Sequence, residues 1–168
     1  MKSIRKNAMK LIKQRHNQDC GIASLAMFMK VSYEEAEHET TKVLNKFFHR
    51  SGMNIEDLAL VIKDGYNKEP VVLRTIAPNV PAIVSVPSLG TKRMFHWIYF
   101  DGKRVYDPSN YEVYKTKDFN QDFPVSDAIC LKETLDKQGS KHNWYLPSHL
   151  CARFDFNYIK WHREHDNG

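Results

Sequence analysis

The stretch Asp19-Cys20-Gly21-Ile22-Ala23-Ser24-Leu25-Ala26-Met27-Phe28-Met29 repeats apolar residues at helical spacing. Ile22, Leu25, Ala26 and Met29 fall at i, i+3, i+4 and i+7, the positions of one face of a helix. Asn17 and Asp19 are good N-cap residues, so the pattern predicts a buried helix from about Cys20 to Lys30 with Cys20 in its first turn. Asp19 reads as the cap of that helix rather than as a catalytic acid.

Outward from it, a second helix is predicted at Tyr33–Lys46, where Ser32 is a cap and Glu35 sits at the capping-box position. Asn54 or Ser51 then precedes Ile55-Glu56-Asp57-Leu58-Ala59-Leu60-Val61-Ile62-Lys63-Asp64-Gly65, a third amphipathic helix with Gly65 expected at its C′ position. Beyond Gly65 the composition changes. Val71-Val72-Leu73-Arg74 and Ala82-Ile83-Val84-Ser85-Val86 are β-branched runs fenced by Pro70, Pro81 and Pro87. A hairpin is predicted from His96–Phe100 and Arg104–Asp107, and another short strand near Ala128–Leu131. Helices followed by antiparallel strands give an α+β fold.

The chain has 168 residues, the size of one domain that buries most of its apolar surface around a single core. With 42% hydrophobic and 27% charged residues it has the balance of a globular protein rather than a disordered or fibrous one. Residues 1–18 form a basic arm, in which Ile4, Ala8, Leu11 and Ile12 allow either a short amphipathic helix or an arm laid across the body. From about 134 to 168 the chain is aromatic and rich in His, and no Gly/Ser/Pro linker separates it, so it is expected to cover part of the sheet. No apolar run approaches the ~18 residues of a membrane span, and the N-terminus lacks an apolar secretory region, so a cytoplasmic location is expected.

The net charge of +5 is concentrated locally, since Lys2, Arg5, Lys6, Lys10, Lys13 and Arg15 all precede the first acidic residue, Asp19. Such an arm attracts nucleic acid or other acidic partners through its field alone. No recognised nucleic-acid motif accompanies the charge, so a solvated basic face is the preferred reading. Cys20, Cys130 and Cys151 are an odd set with no CxxC pairing, which argues against a disulfide framework. His16 lies four residues before Cys20, His162 and His165 stand at i, i+3, and His149 lies near Cys151. None of these has the dense Cys/His spacing of a structural zinc module, so no metal and no organic cofactor is expected.

A cysteine at a helix start is usually a small buried residue, yet that position also favours the thiolate, which is the nucleophilic form. Cys130 and Cys151 lie in apolar and aromatic runs, where burial favours the protonated thiol. The hairpin supplies a base. If Asp101-Gly102 forms a two-residue turn, His96 falls directly opposite Asp107; if Gly102-Lys103 turns the chain, Asp107 lies diagonal to His96 on the same face. In both registers Ile98 and Val105 share that face, while Trp97, Tyr99, Arg104 and Tyr106 occupy the other. Asp107 would then orient His96, which would take the Cys20 proton. Gln14, six residues before Cys20, offers an amide N–H to an oxyanion, and the Cys20 backbone N–H offers a second.

With these residues in place the chain resembles the papain-like cysteine peptidases of the C39 type, the leader-cleaving domains of bacteriocin exporters and their stand-alone relatives. The resemblance rests on Gln14, on Asp19 through Met27, on Val80-Pro81-Ala82-Ile83-Val84, and on His96 through Asp107-Pro108. It spans residues 10–110 and has no counterpart for the tail beyond Asp118. It implies a papain-like fold with Gln14 as oxyanion donor, Cys20 as nucleophile, His96 as base and Asp107 as orienting carboxylate. The activity implied is hydrolysis of a peptide or isopeptide bond in a peptide or protein substrate through a Cys20 thioester. The alternatives are acyl transfer to an amine on the same fold, and a catalytically silent peptidase-fold module that binds or inhibits a partner.

Overall fold

A computed structural model describes residues 10–45, 52–73, 76–77, 79–87, 95–109, 112–115 and 127–138. Three helices come first: α1 (Cys20–Met29), α2 (Tyr33–Leu44) and α3 (Ile55–Leu60), the last running on through a π-helical turn at Val61–Gly65. Then come β1 (Pro70–Leu73), β2 (Ala82–Pro87), β3 (Phe95–Phe100), β4 (Arg104–Asp107), β5 (Glu112–Lys115) and β6 (Asp127–Leu131), followed by α4 (Lys132–Gln138). The strands form one antiparallel sheet in the order β1-β6-β2-β3-β4-β5. The chain therefore has the expected α+β fold, with its N-terminal helices packed against an antiparallel sheet.

Strand alternation sorts the core into two layers. Ile83, Trp97, Tyr99, Tyr106 and Ile129 face the helices and pack with Ile22, Leu25, Ala26, Leu58 and Ile62. Their sequence neighbours Val84, Ile98, Phe100, Val105, Ala128 and Cys130 face the other way, where Ala77, Val80 and Leu135 cover them. Full burial of a side chain such as Leu25 or Ile62 stabilises the fold by about 1.5–3 kcal/mol each. Both layers agree with the faces read from the hairpin. Leu135 of α4 covers part of this second layer; the sequence reading places no helix there, and it places no strand on the short, polar-flanked run of β5.

The helix ends follow local chemistry. Ser32 Oγ accepts the Glu35 N–H at 3.1 Å at the start of α2, as its spacing predicts. Asn54 and Asp57 form a reciprocal capping box at α3, with the Asp57 N–H bonded to Asn54 Oδ1 at 2.8 Å and the Asn54 N–H to Asp57 Oδ2 at 3.2 Å. Gly65 is not the expected left-handed C′ residue. Helical turns continue to it, and a Cβ there would lie 3.3 Å from Val43 Cγ2, so the missing side chain serves close packing on α2. Asn67, with φ of 51°, makes the left-handed turn instead.

The hairpin takes the second of the two predicted registers. Tyr99 pairs with Tyr106 and Phe100 with Val105, and the Asp101 N–H bonds to the Arg104 carbonyl at 2.9 Å, so Gly102 and Lys103 form the turn. The direct opposition of His96 and Asp107 expected from an Asp101-Gly102 turn is thereby corrected. Asp101 explains the choice: its Oδ1 accepts the N–H groups of Lys103 at 2.8 Å and Arg104 at 2.6 Å, an arrangement that uses Asp before the turn rather than inside it. Gly102 has φ of +102°, and a Cβ on it would come 3.0 Å from the Asn79 carbonyl carbon.

Residues 10–14 are not helical, and Leu11 and Ile12 pack against the helical core, so this part of the basic arm is laid across the body. The rest of the arm at 1–9, the predicted ends at Lys46 and Arg74, the alternative cap Ser51 and the aromatic tail beyond 138, with Cys151, lie outside the described residues. Gly102→Ala is predicted to destabilise the fold by about 1–3 kcal/mol through its positive φ and the Asn79 contact. Urea unfolding should show a lower midpoint with an unchanged slope; an unchanged midpoint would contradict the role given to this turn.

Candidate active site

Cys20 is the first residue of α1, and the close approach of that helix to β3 is made by its neighbour Gly21. A Cβ on Gly21 would stand 3.2 Å from Met53 Cβ and 3.3 Å from Trp97 Cδ1. The Trp97 indole N–H is in turn fixed on the Met53 carbonyl at 2.7 Å. Strand alternation sends His96 and Trp97 to opposite sides of β3, yet Gly21 meets Trp97 while Cys20 lies near enough to His96 to help raise its pKa.

His96 and Asp107 are joined across the diagonal of the hairpin. The His96 Nε2–H donates to Asp107 Oδ1 at 2.8 Å, with only 17% and 11% of the two side chains exposed. Because Nε2 is committed to Asp107, Nδ1 is the ring nitrogen left for Cys20. Asp107 is held by a residue that sequence reasoning missed. Ser109 donates to the same Oδ1 through its backbone N–H at 2.8 Å and its hydroxyl at 2.7 Å. The signal was present in Asp107-Pro108-Ser109, since an Asp side chain that accepts from the backbone two residues on is a common turn device.

Charge at this site is set by opposed effects. Burial disfavours the imidazolium, but the hydrogen bond to the Asp107 carboxylate and the interaction with Cys20 raise the His96 pKa to about 9 from an ordinary 6.5. Burial also works against the Asp107 carboxylate, but bonds from His96 and Ser109 bring its pKa below the usual value. Cys130 is different: buried in the second core layer, its thiol is pushed up to about 12 and stays protonated. It is a structural residue, as its apolar run suggested.

Gln14 comes to the same end of the sheet because its backbone N–H bonds to the Pro108 carbonyl at 3.1 Å, next to Asp107. Its side-chain amide donates to the His16 carbonyl at 2.8 Å. Asp19 does not cap α1 with its side chain, contrary to expectation. Its carboxylate, 1% exposed, turns back to accept the N–H groups of His16 at 2.9 Å and Arg15 at 3.0 Å together with the Tyr33 hydroxyl. The backbone of 15–16 needs those acceptors, so Asp19 closes a loop and leaves the first-turn N–H groups of α1 without a side-chain partner from it.

No group of three His, Cys, Asp or Glu side chains arranged to hold a metal occurs among the described residues; His149, Cys151, His162 and His165 lie outside them. No helix among the described residues is long and apolar enough to cross a membrane. The chain matches no protein-family model and no curated protein.

A proton bound more tightly in the folded chain than in the unfolded one stabilises the fold below the unfolded pKa and loses that effect as pH rises through the folded one. For His96 the contribution is complete below pH 6.5 and declines as pH rises through about 9. Asp107→Asn removes its largest supporting interaction and is predicted to bring the His96 midpoint down towards 6.5, followed by NMR of the ring protons. A midpoint that does not move in Asp107→Asn contradicts this account of the pair.

Proposed function

We propose that the chain is a papain-like cysteine peptidase that hydrolyses a peptide or isopeptide bond in a peptide or protein substrate through a Cys20 thioester. The observation that carries the reading is the buried His96–Asp107 hydrogen bond, with Cys20 at a helix start near enough to His96 to help raise its pKa. A histidine whose positive charge is supported on both sides suits an ion pair with a thiolate, the form that attacks a carbonyl.

In this mechanism the Cys20 sulfur attacks the scissile carbonyl carbon, and the carbonyl oxygen becomes an oxyanion. The Gln14 amide and the Cys20 backbone N–H are the donors assigned to it. His96 then gives its proton to the departing amine, leaving the acyl group on sulfur. Water attacks the thioester with His96 as base, releasing the carboxylic acid and restoring the thiol. Asp107 keeps Nε2 occupied throughout, so Nδ1 faces the reacting atoms, and Ser109 keeps Asp107 in place.

The test is alkylation of the intact protein with iodoacetamide at mildly acidic pH, with the modified thiol located by mass spectrometry. Cys20 is expected to react, Cys130 to remain unmodified, and His96→Ala to slow Cys20 labelling by about 10²-fold or more. Reaction at Cys130 with none at Cys20 would falsify the mechanism. Incubation with a peptide library then distinguishes products: shortened peptides are expected, and new amide adducts in their place would replace hydrolysis with acyl transfer.

A further inference from the structure

Gln14 is held by a relay that begins on a different helix. Tyr33, the first residue of α2 and 3% exposed, donates its hydroxyl to Asp19 Oδ2. Asp19 Oδ1 accepts the His16 N–H at 2.9 Å, and the His16 carbonyl accepts one N–H of the Gln14 amide at 2.8 Å. That bond sets the plane of the amide and leaves its second N–H to point elsewhere. We propose that Asp19 and Tyr33 are positioning residues for oxyanion stabilisation, orienting the Gln14 amide through His16; this rests on the peptidase reading of the Cys20 site.

Several features make the relay rigid. Two successive backbone N–H groups, those of Arg15 and His16, close on the one buried carboxylate, which fixes the direction of the loop between Gln14 and Cys20. The Arg15 guanidinium lies 4.2 Å from the Tyr33 ring centroid and pairs with Glu34, so it covers the hydroxyl's ring from outside. Burial and the bond to Asp19 push the Tyr33 pKa well up, and the hydroxyl remains a donor wherever the enzyme works. The opposite end of the loop is tied by the Gln14 N–H to the Pro108 carbonyl. With its backbone held at both ends, the amide keeps mainly the rotation of its own side chain, and the bond to the His16 carbonyl restricts that.

Two reagents separate positioning of the oxyanion donor from general loosening of the site. Iodoacetamide alkylates Cys20 by displacement of iodide at a saturated carbon and forms no oxyanion. p-Nitrophenyl acetate acylates Cys20 through a tetrahedral oxyanion that collapses by expelling p-nitrophenolate. Tyr33→Phe, which deletes one oxygen, and Asp19→Asn are expected to slow acylation by about 10- to 10²-fold while alkylation keeps its rate. Gln14→Ala is expected to give the same split, and its effect is not to add to that of Tyr33→Phe in the double variant. Equal loss with both reagents, or no loss with either, in Tyr33→Phe overturns the proposal and leaves the peptidase reading standing. Failure of both reagents to label Cys20 in the unsubstituted chain overturns that reading and this inference with it.

Discussion

A helix and a strand can approach only as closely as the side chains between them allow, and α1 meets β3 through a residue that has none. Gly21 faces Trp97 and Met53 at distances where a Cβ would already be crowded. The consequence reaches one residue back along each chain, because Cys20 and His96 are the neighbours of Gly21 and Trp97. Trp97 is pinned by its indole N–H on the Met53 carbonyl, which fixes the ring against which Gly21 packs.

Once they meet, the electrostatics follow from what surrounds them. A largely buried imidazolium is unfavourable without a partner; Asp107 supplies one on Nε2, and the interaction with Cys20 adds to it. Asp107 in turn would be costly to keep ionised at its depth without the donors from Ser109 and His96. The loop before α1 uses the same logic with different groups: Asp19 is buried because it satisfies two backbone N–H groups and a hydroxyl that would otherwise be unpaired. The Asp19 and Asp107 networks are joined through the bond from the Gln14 N–H to the Pro108 carbonyl.

Much of this was legible locally. The 3.6-residue pattern of Ile22, Leu25, Ala26 and Met29 and the alternation of Trp97, Ile98 and Tyr99 are consequences of burying one face, so they survive in the sequence as spacing. Ser32 and Asn54 announced helix starts because a side-chain oxygen must meet orphan N–H groups. Asp19 misled because the same oxygen chemistry serves a cap or a loop, and only the fold decides which N–H groups come within reach. Gly65 misled in a similar way, since a missing side chain serves either a left-handed turn or a close packing contact.

The sequence by itself determined the first three helices, the order of the strands other than β5, the two faces of the hairpin, and which thiol, imidazole, carboxylate and amide to look for. These are properties of residue type and short-range periodicity. Only the tertiary structure decided that the turn falls on Gly102-Lys103, that Asp107 lies diagonal to His96, that Ser109 holds it, and that Tyr33 reaches Asp19. Each of those depends on packing between segments far apart in the chain, where loop closure and competition for hydrogen-bond partners choose among arrangements that local pattern leaves equal.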